Sequence, residues 1–540
     1  MKRKIIYLLT TVLFCNALFA CGGSSIEYSA GSNSYYEEGA VTMDGAMMSD
    51  TFSGGRIFNS VGTAGGQYVP IELEEFNTEE YNDITRNDFK KVSMSPLSTF
   101  ALDVDTGSYP NFRRMMNDGA MIDEIPSGAI RTEEMLNYFE FDFENDVEGD
   151  MFDVEYEIND CPWNTDNKII ALTVGTKEVE EVPPRNFVIL FDTSGSMDDN
   201  DKGYLALNGL YEFFQKLNDE DTISIVTYAG DQETIVEGVN NPRKLKAALD
   251  KVSRRLHVGG GTNGSGGIIA AYELANKYFI EGGNNRVILF SDGDMNLGVT
   301  SQSELVDLVE ENAKESNVFL TTLGFGSGNY SDANMEQIAN KGNGNYYYID
   351  SLAEAQRVLC DRLNQSTLTV AKDVKIQVEF NPLHVSEYKL LGYENRALAD
   401  EDFENDEKDG GETGPGQKVT VLYEIKPSGG AVSGNNLKYQ QETELTDDDK
   451  LNSEIMTLNI RYKEPEGDIS TLESFPIVLK ESSTASNDFL FACGIAQLVE
   501  AIDGCDSTDA IAEACTLLEQ GSNDIGERNE LMSLLELWRE

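Results

Sequence analysis

The sequence predicts a doubly wound α/β domain with a mostly parallel sheet, inserted in or flanked by a β-rich domain and followed by C-terminal helices. Three observations support this prediction. Strand-like and helix-like segments alternate from about residue 185 to 366, as a parallel sheet requires, because parallel strands are joined by crossover helices. From residue 367 to 480 only strand patterns remain. Helical spacing then returns from Asn487 to the end of the chain.

The net charge is the unusual property of the composition. The 540 residues include 95 acidic and 41 basic side chains, which gives a formal net charge of -54. Such a surface repels nucleic acid and anionic lipid, which argues against a nucleic-acid partner. The acidity either attracts divalent cations and basic partners or only keeps the protein soluble, and the sequence leaves both interpretations open.

Residues 1–20 are predicted to be a lipoprotein signal peptide. Three basic residues at positions 2–4 precede an apolar run from 5 to 19, which is short for a transmembrane helix. The LFAC sequence that ends at Cys21 resembles a bacterial lipobox, in which the cysteine receives lipid; an ordinary secretory signal is the alternative. Gly22 follows in place of Asp, which resembles an outer-membrane address. We therefore expect a lipid-anchored protein of the bacterial cell envelope, on its periplasmic or surface face.

Changes in composition divide the rest of the chain into four segments. Residues 21–85 are rich in Gly, Ser, Tyr, Met and acidic side chains and predict a flexible tether. A structured N-terminal segment is expected at 86–182, the α/β domain at 183–366, and a β-rich plus helical domain at 367–540.

The cysteines do not indicate a disulfide framework. Once Cys15 is removed with the signal and Cys21 carries lipid, five of the seven remain, without CxxC spacing, so neither a framework nor a zinc site is predicted. One disulfide among Cys493, Cys505 and Cys515 is an alternative to buried thiols, which we favour.

The N-terminal segment contains short strand patterns and one helix. The sequence predicts strands at Phe100–Asp105, Asp153–Ile158 and Lys168–Val174, and a helix at Arg131–Phe139. The spacing of Asp103 and Asp105 resembles a metal-binding motif, but the sequence shows no second cluster of ligand residues that would complete the site. An ordinary turn at a strand end is therefore expected.

The α/β segment begins with a continuous apolar run at Phe187–Phe191, typical of a strand buried on both faces. Leu207–Leu217 has the spacing of a helix. Further strands are predicted at Ile223–Tyr228, Thr234–Val236, Val287–Phe290, Val318–Leu323 and Tyr346–Ile349, and further helices at Leu245–Leu256, Ile268–Phe279, after a cap at Ser301, and at Ser351–Leu363.

The C-terminal segment combines strands with an acidic loop. Strands are predicted at Val374–Phe380, Val419–Ile425, Ile455–Tyr462 and Phe475–Leu479. Ala399–Gly416 is acidic and rich in glycine, but it lacks the glycine placement of a calcium-binding EF-hand. We interpret it as a solvated loop.

Oxygen-bearing side chains follow the predicted strands of the α/β domain at three places. Asp192, Ser194 and Ser196 form a DxSxS motif directly after the first strand, Thr262 lies in a glycine-rich loop before a helix, and Asp292 ends another strand. Because ligand sites in such sheets lie at the carboxyl ends of the strands, the three loops are expected to meet at one edge.

Hard oxygen donors of this kind suit Mg²⁺, Ca²⁺ or Mn²⁺ rather than zinc or copper. Only two of the five residues are carboxylates, so a bound cation keeps much of its charge and favours a Glu or Asp from a protein partner. The alternative is a domain that retains these residues without binding metal.

The sequences DTSGSM, GGGTNG and FSDGD resemble the von Willebrand factor type A domain, a Rossmann-like fold, and its metal-ion-dependent adhesion site. The resemblance implies that Ser194, Ser196 and Thr262 coordinate the cation, with Mg²⁺ preferred, and that Asp192 and Asp292 act directly or through water. FALDVDTGSYPNFRRMMNDG, VTVLYEIKP and DFLFACGIAQLVEAI resemble a bacterial subgroup of these proteins with a C-terminal domain of unknown function. The resemblance covers roughly residues 90–540.

The family resemblance also suggests a topology. Strands on both sides of the α/β domain are expected to pair into one β-rich unit, with the adhesion domain inserted in it. The helix at Ser351–Leu363 corresponds to one that shifts in related adhesion domains when the metal site engages a ligand, and here it leads into the C-terminal strands. Ligand capture is therefore expected to be coupled to the β-rich unit.

Catalytic patterns are weak. His257 and His384 are the two histidines, no GxSxG, HExxH or P-loop is present, and nothing positions a Ser–His–Asp triad. The glycine-rich GFGSG sequence at 324–328 lacks the full spacing of a nucleotide-binding loop and is expected to be structural.

The sequence thus favours a non-enzymatic adhesion or scaffold protein; a structural envelope lipoprotein and a metal-dependent hydrolase are the alternatives. The partner and the oligomeric state remain open.

Overall fold

A computed structural model describes residues 79–82, 84–179, 181–257, 260–294, 302–428, 454–465, 467–480, 484–504, 508–523 and 525–539. The predicted signal peptide, the predicted lipidation site Cys21 and nearly all of the predicted tether lie outside the described residues, as do Ser301 and Cys505. Among the described residues, no helix combines the length and the apolarity needed to cross a membrane.

Among its described residues, the N-terminal segment forms five strands and two α-helices. The strands are β1 (Lys90–Lys91), β2 (Leu97–Ala101), β3 (Asn145–Glu148), β4 (Phe152–Cys161) and β5 (Asn164–Thr176), and the helices are α1 (Ser108–Asn117) and α2 (Thr132–Tyr138). The predicted strand at Phe100–Asp105 is wrong beyond Ala101: the chain leaves the sheet there, and the side chains of Asp103 and Asp105 are buried among charged groups instead.

The α/β domain contains six strands and seven α-helices among the described residues. The strands are β6 (Arg185–Asp192), β7 (Thr222–Tyr228), β8 (Gln232–Val239), β9 (Asn284–Ser291), β10 (Phe319–Phe325) and β11 (Tyr346–Ile349). The helices are α3 (Leu205–Phe213), α4 (Pro242–Leu256), α5 (Gly264–Lys277), α6 (Gln302–Ser316), α7 (Asp332–Lys341), α8 (Leu352–Gln356) and α9 (Leu363–Thr367).

The sheet of this domain has the strand order β11-β10-β9-β6-β7-β8, and every pairing is parallel except that of β8 with β7. Alternate side chains of β6 enter two different cores: Phe187 and Ile189 pack on one face, and Val188 and Leu190 pack on the other. This two-sided burial explains the continuous apolar run, and the predicted doubly wound α/β fold is confirmed.

The C-terminal segment forms six strands and three helices among the described residues. They are β12 (Ala371–Phe380), β13 (Val385–Leu391), β14 (Gly411–Thr413), β15 (Lys418–Pro427), β16 (Glu454–Lys463), β17 (Ser470–Val478), and the helices Asn487–Gly504, Thr508–Gly521 and Gly526–Arg539. The last three helices pack with α1 and α2 over the outer face of β5 and β15 in one apolar core.

Strands from both sides of the α/β domain pair with each other, as the topology hypothesis expects. β5 pairs antiparallel with β15 from Lys168↔Ile425 to Gly175↔Lys418, and β2 pairs antiparallel with β12. The resulting sheets, β1-β13-β15-β5-β4-β3 and β14-β12-β16-β17 with β2 beside β12, share one apolar core. The α/β domain is therefore an insertion in a β-rich unit.

Two further details of the predicted elements are wrong. The helix predicted at Ser351–Leu363 is not continuous, because α8 passes at Arg357–Asp361 into a wider turn, in which the Arg362 N–H donates to the Arg357 carbonyl at 2.9 Å. The side chain of Arg357 lies over the Tyr138 ring, 3.8 Å from its centroid, and this tertiary contact is not visible in helical spacing. The cap is confirmed, since the Ser351 hydroxyl oxygen accepts from the Glu354 N–H at 3.1 Å.

The acidic segment Ala399–Gly416 is also more ordered than predicted. It contains a 3₁₀ turn at Asp400–Phe403 and the strand β14, and the side chains of Phe403 and Glu412 are buried. Gly411 permits this close packing, because a Cβ there would lie 1.9 Å from the Leu102 carbonyl oxygen.

The expectation of a buried thiol is confirmed for Cys493, which is free and buried. Cys161 is likewise free and buried, and Cys360 is free and partly exposed.

A buried charged cluster joins the α/β domain to the β-rich unit. It contains six carboxylates and two guanidinium groups: Asp103, Asp105, Glu133, Glu134, Asp332, Glu336, Arg131 and Arg396. Arg131 is paired with Asp332 and, at 2.9 Å, with Glu336 of α7. Burial, followed by the charge of Asp103, raises the pKa of Glu133 to about 7. Burial raises the pKa of Glu134 to about 8, although Arg131 opposes the shift.

These pKa values predict that the protein loses stability as the pH rises. Both carboxyl groups hold a proton in the folded chain at a pH where a glutamate of the unfolded chain, with a pKa of roughly 4.3, has lost it. Their contribution is fully present below that pKa and is lost as the pH rises through 7 to 8. We expect the free energy of unfolding to fall by on the order of 3–7 kcal/mol between pH 5 and pH 8.5, measured by urea unfolding at constant Mg²⁺.

Glu133→Gln should make this fall smaller, because the variant has no charge to form at high pH. Glu401→Gln, which alters an exposed glutamate, is the matched control and should leave the pH profile unchanged. A stability that is flat or rises over this pH range in the unsubstituted protein would contradict the prediction.

Candidate metal-ion site

The predicted site residues come from three loops at the carboxyl edge of the parallel sheet. Asp192 is the last residue of β6, Asp292 directly follows β9, and Thr262 lies just before α5. Asp192 and Asp292 are 0% exposed and Thr262 is 2% exposed. The sheet topology explains the convergence, because β6 and β9 are adjacent parallel strands and therefore end at the same edge.

The DxSxS loop turns back on itself directly after β6. The Ser194 N–H donates to Asp192 Oδ1 at 2.9 Å, and the hydroxyl oxygens of Ser194 and Ser196 are 3.1 Å apart. Ser194 is buried and Ser196 is half-buried, so the hydroxyl pair extends from the interior toward the surface.

Backbone hydrogen bonds hold the Thr262 loop against the DxSxS loop and against the end of β7. The Gly195 N–H donates to the Gly260 carbonyl at 3.0 Å, and the Asn263 N–H donates to the Ala229 carbonyl at 2.6 Å. The Asn263 side chain also caps α5 by accepting from the Gly266 N–H at 3.2 Å. Thr262 is thereby fixed at the same sheet edge as the two serines.

The two carboxylates lie close enough to oppose each other's ionisation. Burial, and then the negative charge of Asp292, raises the pKa of Asp192 to about 7, against hydrogen bonds from Ser194 and Ser291 that lower it. The Ser291 hydroxyl donates to Asp192 Oδ2 at 2.9 Å. Two buried carboxylates that repel each other beside hydroxyl oxygens fit a divalent cation, because the cation would relieve the repulsion with the oxygen ligands that Mg²⁺ and Ca²⁺ prefer.

Lys202 is a residue of this site that sequence reasoning missed. Its Nζ lies 3.3 Å from Asp292 Oδ2, and it also donates to the Asn329 side-chain oxygen. Gly326, at φ +86°, makes room for it, because a Cβ there would lie 2.2 Å from Lys202 Cγ. The glycine-rich loop is therefore structural at this position. No sequence signal distinguished Lys202 from a solvated lysine in an acidic segment.

The other sequence signals lie elsewhere. Exposed His257 ends α4, and its Nδ1 lies 2.9 Å from the Tyr204 hydroxyl oxygen. The prediction that nothing completes the Asp103 and Asp105 pattern is wrong: Glu134 brings a third buried carboxylate oxygen within 4.8 Å of theirs. Because Arg396 pairs with both aspartates and Arg131 with Glu134, arginines occupy this group as partners.

We expect Lys202→Met to raise the affinity for Mg²⁺. The Lys202 ammonium lies beside Asp292, so a cation at Asp292 must compete with a positive charge that the variant lacks. A gain of about tenfold, or ~1.4 kcal/mol, is expected in calorimetric titration with MgCl₂. Lys314→Met, at an exposed position of α6, controls for the loss of one positive charge; an affinity that is unchanged or lower in Lys202→Met would contradict the expectation.

Comparison with known proteins shows similarity along most of the chain. Three family models match it: "von Willebrand factor" at residues 75–171, "von Willebrand factor type A domain" at 186–359, and "Uncharacterized protein YfbK, C-terminal" at 365–540. The uncharacterized protein YfbK of Escherichia coli (strain K12) is 38% identical over 475 residues, which cover 85% of this chain and 81% of that protein.

Two solved structures are similar to parts of this chain. The von Willebrand factor type A protein from Catenulispora acidiphila is 16% identical with a TM-score of 0.41, covering 73% of this chain and 91% of its own. The ArnB paralog VWA2 from Sulfolobus acidocaldarius is 16% identical with a TM-score of 0.36, covering 72% and 98%.

Proposed function

Because this chain belongs to the YfbK family of von Willebrand factor type A domain proteins, we propose that it is a lipid-anchored cell-envelope protein that binds a protein partner through a divalent cation. The ligands are Asp192, Ser194, Ser196, Thr262 and Asp292, with Mg²⁺ the preferred ion and Ca²⁺ or Mn²⁺ as substitutes. The anchor is lipid on Cys21, most simply in the outer membrane. A von Willebrand factor type A domain by itself supports the coarser conclusion, adhesion or protein interaction.

The observation that carries this proposal is the pair of buried carboxylates, Asp192 and Asp292, at a sheet edge where the Ser196 hydroxyl reaches toward the surface. Two carboxylates and three hydroxyls supply five oxygens, one fewer than the six of an octahedral cation, and Lys202 beside Asp292 offsets part of their negative charge. Water fills the remaining position until an anionic oxygen replaces it, and a Glu or Asp side chain of a partner supplies such an oxygen. The cation then forms part of the interface between the two proteins.

We predict that Asp292→Ala abolishes Mg²⁺ binding at this site and that Ser194→Ala weakens it at least tenfold, because each removes a ligand atom. Calorimetric titration measures the affinity, and circular dichroism checks that both variants remain folded. Mg²⁺ should raise the melting temperature of the unsubstituted protein, since it binds only the folded chain. Asp219→Ala, at an exposed position of the same domain, is the control. Mg²⁺ affinity equal to the control in both variants would refute this assignment.

Crosslinking in intact cells tests the binding function. We expect proteins to be crosslinked to this chain in Mg²⁺ but not after chelation, and not to Asp292→Ala under either condition, because the cation bridges the contact.

The protein should be recovered with the membrane fraction; recovery in the soluble fraction would contradict the lipid anchor. Partners that persist after chelation would support a structural envelope lipoprotein instead, and turnover of a substrate by the purified protein would support a hydrolase.

A further inference from the structure

A second group of acidic side chains lies where the acidic segment of the β-rich unit meets the α/β domain. Asp373 belongs to β12, Glu412 belongs to β14, and Asp409 lies just before β14. One carboxylate oxygen from each lies within 4.8 Å of the other two. Lys341, at the end of α7, pairs with Asp409 at 3.3 Å, so the group faces the edge of the α/β domain.

The backbone is arranged to bring these three side chains together. Asp373 has a φ of +53°, unusual for a residue other than glycine, and the pairing of β12 with both β14 and β16 shifts register at this point. Gly410 lets the acidic segment lie against this irregularity, because a Cβ there would be 2.4 Å from the Asp373 carbonyl carbon.

Glu412 is the member of this group that indicates a missing ligand. Its side chain is buried, with 6% of the residue exposed, and its Oε1 has no hydrogen-bond partner among the described residues. Lysines pair with the other two carboxylates, Lys463 with Asp373 at 2.7 Å and Lys341 with Asp409 at 3.3 Å. A buried carboxylate oxygen without a partner is costly, and here the side chain that carries it lies beside two further carboxylates.

We propose that Asp373, Asp409 and Glu412 form a second divalent-cation site, specific for Ca²⁺ and separate from the Asp192–Asp292 site. Ca²⁺ binds oxygens at roughly 2.3–2.6 Å, so two oxygens on one ion are at most about 5 Å apart, which matches the observed spacing. Ca²⁺ also accepts an irregular set completed by carbonyls and water, whereas Mg²⁺ demands a tighter octahedron. The bound ion would fasten the acidic segment to β12 beside the end of α7.

The test is a titration with Ca²⁺ alone on the full mature chain, carried out in the Asp292→Ala background so that the first site does not contribute. The Asp292→Ala protein is expected to bind one Ca²⁺ and to gain melting temperature with it. The Asp292→Ala/Glu412→Gln protein is expected to bind none and to gain nothing, because Gln keeps the size of Glu and removes the charge. One Ca²⁺ bound by both proteins, or none by the first, would overturn the proposal.

Two further variants make the result specific to this site. Asp409→Asn in the same background alters a ligand at the rim, where folding is easier to preserve, and should weaken Ca²⁺ binding at least tenfold. Glu407→Gln makes the same change as Glu412→Gln at an exposed position of the same segment and should leave binding unchanged. Equal weakening by Glu407→Gln would mean that only the general acidity of the segment attracts Ca²⁺, and would likewise overturn the site. If the Ca²⁺ site is refuted, the proposal for the Asp192–Asp292 site still stands. That site is tested separately, by Mg²⁺ titration of the protein that retains Glu412.

Discussion

The antiparallel pairing of β5 with β15 is the constraint on which the rest of the structure depends. These strands precede and follow the α/β domain in the chain, yet they form adjacent hydrogen-bonded strands from Lys168↔Ile425 to Gly175↔Lys418. Because β2 pairs with β12 in the opposing sheet, the chain on either side of the insertion is held in both layers of the sandwich. The α/β domain is thus tied to the β-rich unit at both of its ends.

Groups of carboxylates lie inside the protein as well as on its surface. At three places their negative charge is compensated in different ways. At the junction of the two parts, Arg131 and Arg396 neutralise some of six buried carboxylates. Raised pKa values of Glu133 and Glu134 account for part of the remainder. At the sheet edge, Lys202 lies beside Asp292. At the acidic segment, Glu412 Oε1 has no such partner. At the sheet edge and at the acidic segment, but not at the junction, we propose that cations bind.

The net charge of -54 bears on how a partner carboxylate could approach. Repulsion between exposed charges is screened beyond about 8 Å at physiological ionic strength, so the partner experiences mainly the local field of the metal site. At that distance a cation with an incomplete set of ligands attracts an anionic oxygen regardless of the distant surface. Acidic composition and carboxylate recognition are therefore compatible in one protein.

The sequence by itself determined the α/β fold and the five oxygen-bearing residues at one sheet edge. It could do so because these features are local: strand and helix periodicities span a few residues, and parallel strands end at a common edge whatever surrounds them. The insertion of that domain was a hypothesis that the family resemblance suggested, and the pairing of β5 with β15 confirmed it. Three contacts were decided only by the tertiary structure. Lys202 reaches Asp292, ninety positions away, and Glu134 lies beside Asp103 and Asp105. Glu412, in an acidic segment predicted to be solvated, is buried beside Asp373. Each of these contacts joins residues distant in the chain, and no periodicity records them, because they arise only when separate elements pack together and exclude water from the charges between them.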